Sequence, residues 1–252
     1  MGKPMDSPVA IVTGGGRGIG LAIVTRLMAD GYRVVACGRS ACAPDFPEGA
    51  IWVQGDVADP DDAARIVAGA QARGAVRVLV NNAGVQVEKT VTQSTDADWD
   101  LVIGVNCRGV FNMCRAALPG MCETGGAIVN IGSISGQVSD PSMALYNASK
   151  AFVHGLTRSI AVDHGPAVRC NAVRPGWIMT DMAEDAFALA RDPEAAMRDA
   201  LARHPVGRMG QPGDVANMVA WLVSDQAAYV SGECFTVDGG MTAASPLNPG
   251  LF

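Results

Sequence analysis

Val9-Ala10-Ile11-Val12-Thr13-Gly14-Gly15-Gly16-Arg17-Gly18-Ile19-Gly20 is the stretch that decides the fold. A β-branched apolar run passes into a glycine-rich turn and then into a helical pattern near 18–30. In that order the backbone N–H groups of the turn and the amino end of the helix can approach a pyrophosphate. Gly14, Gly18 and Gly20 carry this reading, with Arg17 and Ile19 set among them. A turn of the same shape without a ligand is the plainer alternative.

Outward from this stretch, short β-branched runs at 33–37, 51–53, 76–80, 127–131, 168–173 and 234–237 alternate with helical patterns near 60–73, 96–121, 144–164 and 213–223. The alternation predicts an α/β three-layer sandwich, a parallel sheet with helices on both faces, whose ligands bind beyond the C-terminal strand ends. At 252 residues and 49% hydrophobic content, the chain is expected to be one domain over 1–252. Two segments depart from the pattern. Residues 40–49 are too short and too rich in Pro, Ala and acidic residues for a full helix, so the adenosine end of the cleft is expected to be unusually open. After the rigid pair Pro175-Gly176, residues 178–205 carry Met179, Met182, Phe187, Leu189 and Met197 among charges. They read either as a mobile cover over a substrate or as an ordinary helical hairpin.

Composition excludes several functions. The formal net charge is −6 and no Lys/Arg block occurs, which argues against a nucleic-acid partner. No apolar run approaches the ~20 residues of a membrane span. The N-terminus lacks a signal-like stretch and has Asp6 where myristoylation needs Ser or Thr. Seven cysteines without Cys-x-x-Cys spacing read as buried free thiols in a reducing compartment, so a soluble cytoplasmic protein is expected. His154, His164 and His204 are scattered without metal-ligand spacing, and no metal site is expected.

The chemistry centres on Ser133, which follows the run 127–131, and on Tyr146 and Lys150, one helical turn apart. Residues at i and i+4 share a helix face, so the Lys150 ammonium can stand near the Tyr146 phenol. Bringing a phenol from ~10 to about 7 needs roughly 4 kcal/mol of preferential support for the phenolate. One positive charge at about 4 Å, in an effective dielectric of about 20, supplies about that much. The pair is therefore expected to work as a general acid/base near neutrality. Taken singly, a Tyr-x-x-x-Lys spacing is common on helices and Ser133 can simply close a turn.

Together with Asn81-Asn82-Ala83-Gly84, Ser133, Tyr146-x-x-x-Lys150 and Pro175-Gly176, the glycine turn resembles the short-chain dehydrogenase/reductase family. The resemblance continues through Asn106, Pro205-Val206-Gly207-Arg208 and Val237-Asp238-Gly239-Gly240. It implies a seven-stranded Rossmann-type sheet and an NAD(P)-dependent oxidoreductase acting on alcohol and carbonyl groups. On the cofactor side it implies Asp56 and Val57 beside the adenine, Asn81 to Gly84 along the cleft with Asn82 and Ala83 among them, and Ile178 and Thr180 at the nicotinamide carboxamide. On the chemical side it implies that Tyr146 protonates the carbonyl, that Ser133 holds that oxygen, and that Lys150 binds the nicotinamide ribose while lowering the tyrosine pKa. Asn106 matches a position that holds a water joining Lys150 to solvent. From position alone, Asp56 also reads as a turn residue before the Asp59-Pro60 helix start, and Asn106 as a partner for backbone groups.

Cofactor choice depends on the end of the second strand, where a carboxylate accepts ribose hydroxyls but repels a 2′-phosphate. This chain reads Gly38-Arg39-Ser40 there. Gly38 offers no carboxylate, and Arg39 and Arg17 can pair a phosphate or stay solvated. NADP(H) is the expected cofactor, with NAD(H) as the alternative. Val85, Gln86, Val87, Gln137, Val138, Met143 and Trp177 form a mainly apolar pocket set, which favours a small neutral carbonyl or alcohol. The stretch 119–126 lacks the Lys/Arg cluster that an acidic carrier protein would dock on. The competing readings are an NAD-dependent sugar or secondary-alcohol dehydrogenase, a 3-oxoacyl thioester reductase, and a catalytically silent dinucleotide sensor. The resemblance further implies a homotetramer, with the helices near 96–121 and 144–164 forming one contact and the last strand another. The apolar tail 245–252 either folds against a neighbouring pocket or stays free.

Overall fold

A computed structural model describes residues 7–42, 44, 46–188 and 190–244, with the side chains at 181, 182, 185 and 186 outside that description. At the centre of the sheet, β1 (Val9–Thr13) is buried at every position. Its first four residues are apolar and turn no polar face to water, so the run settles as a strand covered from both sides. It pairs in parallel with β2 (Arg33–Gly38) and β4 (Val76–Asn81). Outside these lie β3 (Ile51–Gln54), β5 (Gly126–Ile131), β6 (Val168–Pro175) and β7 (Cys234–Val237), in the order β3-β2-β1-β4-β5-β6-β7. All the pairings are parallel. The chain order reverses between β1 and β4, so a crevice opens there at the C-terminal strand ends.

Helices cover both faces, as the alternation predicts. On one side α1 (Gly18–Ala29) and α8 (Pro212–Val223) pack Ile23, Leu27, Val215 and Leu222 against Ala10, Val12 and Val80. On the other, α2 (Pro60–Gln71), α4 (Val110–Thr124) and α5 (Ala144–His164) bury Ile66, Met113, Met121 and Ile160 against Ile11, Leu79 and Ile128. Each such side chain contributes about 1.5–3 kcal/mol relative to exposure. Helix starts follow local signals: before Pro60, Asp59 accepts hydrogen bonds from the Asp61 and Asp62 amides at 2.8 and 3.1 Å.

Three expectations need correction. The helix expected over 96–121 is α3 (Asp96–Ile103) and α4 joined by a π-helical turn, Gly104–Gly109. Val57 presses against the bare Gly109, where a Cβ would lie 2.6 Å from its Cγ2, and the turn carries Asn106 buried inside. Between β2 and β3 no helix occurs among the described residues, yet the gap is closed. Phe46 packs edge-on to Trp52 with ring centroids 5.2 Å apart, and apolar burial does what a helix would have done. Finally, the thiols are free but not uniformly buried. Cys37, Cys107, Cys114 and Cys170 are buried, whereas Cys42 lies on the helix-free connection and Cys122 on the outward face of α4, both exposed.

Residues 178–205 fold as a hairpin of α6 (Asp181–Ala188) and α7 (Pro193–Ala202), and Phe187 places its ring 5.4 Å from that of Trp177. Leu189, the Met182 side chain and the tail 245–252 lie outside the described residues. Among the described residues, no helix is long and apolar enough to cross a membrane.

Candidate active site

The turn after β1 is fixed by a cross-strand lattice. The Thr13 hydroxyl accepts the Asn82 and Ala83 amides, both at 3.0 Å, and Asn82 Nδ2 donates to the Thr13 and Gly14 carbonyls, both at 3.0 Å. Gly14 has φ +62°, and a Cβ there would sit 2.9 Å from Ala83 Cα. A Cβ on Gly20 would collide with the Gly14 carbonyl. Arg17, exposed, is the residue before α1; the helix has no side-chain cap and no acidic residue in its first turn. Its first amides are therefore open donors at the positive end of a helix dipole. Ile19 packs on the core, and the Thr180 side chain stands 3.3 Å from where a Cβ on Gly18 would be. The donors and the bare backbone fit the pyrophosphate of a dinucleotide.

Other expected cofactor residues spread along the same crevice. Gly84 is exposed, and a Cβ on it would lie 3.5 Å from both Lys150 Nζ and Asn106 Oδ1. Pro175 ends β6, and Gly176 comes so close to Asp238 that a Cβ would be 2.7 Å from that residue's Cβ. Ile178 is buried and bridges to Gly210. At the opposite end, Asp56 Oδ1 accepts the Ala58 amide at 2.9 Å, so the turn role read from position is real. The Val57 side chain belongs to the core, leaving only its main chain for a ligand. Arg39 is exposed and directly follows Gly38. Asn81 does not line the cleft. It is buried, donating to Asn130 Oδ1 at 2.8 Å, and Asn130 in turn donates to Thr157 Oγ1 at 2.9 Å.

The chemical residues converge at the ends of β4 and β5. Ser133 begins a short 3-10 turn, Ile134–Gly136, and its hydroxyl accepts the Ser135 amide at 3.1 Å and donates to Ser135 Oγ at 3.0 Å. Ser135 passes a hydrogen to Asp140 Oδ2 at 2.6 Å. Burial raises the Tyr146 phenol above its ordinary pKa; the Ser133 hydrogen bond lowers it and the Asp140 charge raises it. Lys150 holds its Nζ 5.5 Å from the Tyr146 ring centroid and donates to the Ile131 carbonyl at 2.9 Å. Burial brings this lysine down to about 8. The expected descent of the phenol toward neutrality is thus not what the structure displays, because desolvation of the oxygen outweighs its partners.

Asn106 is saturated. Its Nδ2 donates to the Val85 carbonyl at 2.8 Å and to Ser149 Oγ at 2.9 Å, and its Oδ1 accepts the Val85 amide at 2.9 Å. It fastens the loop after β4 to α5. Thr13, Ser135, Asp140 and Ser149 are contributors that the sequence reading missed. Thr13 and Ser135 had only a position at or just after a strand end to mark them, and Ser149 only its place beside Lys150, signals shared with many inert residues. Next to them, His154 is buried against Gly132 and Gly136, and burial first, then the Arg174, Lys150 and Arg158 charges, bring it down to about 4.

Residues 14–242 match the family model described as Enoyl-(Acyl carrier protein) reductase. The chain is 41% identical over 257 residues to 2-(S)-hydroxypropyl-CoM dehydrogenase 3 of Xanthobacter autotrophicus, covering 96% of this chain and all of the relative. It is 37% identical over 244 residues to the 3-oxoacyl-[acyl-carrier-protein] reductase FabG of Staphylococcus aureus, covering 92% and 97% of the two chains. Among solved structures, the ligand-free aldohexose dehydrogenase of Thermoplasma acidophilum superposes with a TM-score of 0.91 at 33% identity, over 97% of each chain.

Proposed function

The chain belongs to the short-chain dehydrogenase/reductase family, and on that premise we propose that it interconverts a small neutral ketone or aldehyde and its alcohol with NADP(H). The observation that carries the reading is the meeting of Ser133, Tyr146 and Lys150 at the mouth of a crevice whose other end is an uncapped helix and a bare glycine turn. When bound, the nicotinamide supplies or accepts the hydride. Tyr146 gives its proton to the carbonyl oxygen, a task suited to a phenol that stays protonated at neutral pH. Ser133 holds that oxygen, itself oriented by Ser135 and Asp140. Lys150, anchored on Ile131, binds the nicotinamide ribose, and Asn106 keeps the loop carrying Gly84 in place. Gly14, Gly18 and Gly20 hold the pyrophosphate, Asn82 and Ala83 line the cleft beside it, Ile178 and Thr180 meet the nicotinamide carboxamide, and Arg17 and Arg39 meet the 2′-phosphate.

The pocket supports a neutral substrate. Val85, Val87, Met143 and Trp177 are all partly open at the crevice side of the sheet, and the 178–205 hairpin serves as its cover. We place the protein in the cytoplasm as a homotetramer. Reduction of a 3-oxoacyl thioester is the second reading, favoured by the identity with FabG and disfavoured by the missing Lys/Arg cluster at 119–126. Measuring kcat/KM for aldehydes, ketones, diols and oxoacyl thioesters with both cofactors separates them. Turnover of thioesters alone would replace the small-carbonyl reading, and NADH preference surviving Arg39→Ala would reject NADP(H).

A further inference from the structure

We propose that Trp52 holds the cofactor's 2′ selectivity in place by reserving position 38 for glycine: it fills the space into which a carboxylate at the end of β2 would project. The proposal rests on the NADP(H) reading above. Two glycines face this one indole. A Cβ on Gly38 would lie 2.8 Å from Trp52 Cη2 and 3.0 Å from Cζ2, and a Cβ on Gly16 would lie 3.1 Å from Cη2 and 3.4 Å from Cζ3. Carbon atoms rest comfortably at about 3.5–4.0 Å, so no side chain fits at position 38 while the ring stays where it is.

The ring is held there by three independent contacts. Trp52 pairs in register with Ala36 on β2, which aims its side chain along the same face as residue 38. Its Nε1 donates to the Ser40 carbonyl at 3.2 Å, and Phe46 closes edge-on against it. A neighbour held in this way does not yield as the free end of a long side chain would.

Position 38 is where a carboxylate would accept the ribose hydroxyls and repel a 2′-phosphate. Gly38 leaves the strand end free of negative charge, and the indole bars the side chain that would bring one there. The groups next to the two glycines in the chain are then Arg17 and Arg39, both exposed and neither in an ion pair among the described residues. Guanidinium forks suit a phosphate. Trp52 acts through position 38 and is therefore a positioning residue.

Calorimetric titration of the full chain with 2′,5′-ADP and 5′-ADP tests this in the wild type, Gly38→Asp, Trp52→Val and the double variant. The expected result is a wild-type preference for 2′,5′-ADP and poor binding of both probes by Gly38→Asp. In the double variant, the affinity ratio should move toward 5′-ADP by about 10- to 10²-fold relative to Trp52→Val, as a new charged hydrogen-bond acceptor allows. A Gly38→Asp variant that shifts the ratio as far with Trp52 present as without it overturns the proposal. Should Gly38→Asp fail to fold, Gly38→Ala takes its place and melting is read. A loss of several degrees in Tm with Trp52 present, and none beside Trp52→Val, supports the wedge; equal losses overturn it. A wild-type preference for 5′-ADP overturns the NADP(H) reading and the selectivity role together. Additive effects under a wild-type preference for 2′,5′-ADP overturn this proposal alone.

Discussion

Tyr146 stands above its ordinary pKa through burial, with the Ser133 hydrogen bond pulling the other way. In its proposed role such a phenol would donate a proton in reduction and act as a base in alcohol oxidation at higher pH. Steady-state rates are expected to stay level from pH 6 to 8 for reduction and to climb into the alkaline range for oxidation. Tyr146→Phe should lower kcat by at least ~10²-fold while 2′,5′-ADP binding, read by calorimetry, is kept. Lys150 and His154 give signed pH effects on stability. Lys150 falls from 10.5 to about 8, so the folded chain binds fewer protons than the unfolded one between those values and stability rises with pH there. Across pH 8 to 10 the wild-type Tm should gain on that of Lys150→Met; the raised Cys37 and Cys114 thiols oppose the rise in both proteins and cancel in the difference. His154 falls from 6.5 to about 4, so stability is lost as pH drops through that window, and His154→Gln should lose less. Ser133, Tyr146 and Lys150 were legible because a fixed spacing on a helix after a strand leaves few other arrangements. The Ile131 carbonyl that anchors Lys150 was not, since nothing in the sequence between two residues 19 positions apart encodes that distance.

The glycine turn works as one unit with α1 and the loop after β4, through contacts in which a Cβ added at Gly14 or Gly20 would land on backbone. Gly20→Ala would push a methyl group into the Gly14 carbonyl and the Asn82 amide. It is expected to cost about 1–3 kcal/mol by melting and to weaken NADPH binding in calorimetry. This turn was readable because glycines between a β-branched run and a helix have few uses. The π-helical turn at Gly104–Gly109 was not readable, because its residues continue the helical composition on either side and the extra backbone residue leaves no mark in the pattern. The helix-free link after β2 could be counted, but the side chains that fill it, Phe46 and Trp52, looked like an ordinary loop and strand pair. Packing between distant residues decides such places, and a local pattern does not contain it.

For the whole molecule, the parallel sheet and its two helical layers followed from βα alternation, whereas the order β3-β2-β1-β4-β5-β6-β7 is fixed by strand pairing that no local pattern contains. Association is written in what stays uncovered. Trp99 on α3, Phe111 on α4 and Phe152 on α5 are 55%, 45% and 43% exposed, an apolar load on the helices proposed to meet across subunits. Phe111→Glu combined with Phe152→Glu should convert the proposed tetramer to smaller species in sedimentation velocity; an unchanged sedimentation coefficient would remove these helices from the interface. The row Asn81, Asn130, Thr157 has its own consequence for how the molecule is made. Asn81 and Asn130 are register partners on β4 and β5, sealed beneath α5. A slip of either strand by one residue would turn its carboxamide to the opposite face and part the two side chains, an error costing a few kcal/mol. The row thus proofreads assembly, and chains that complete it arrive with β4 and β5 already aligned beneath the reacting groups.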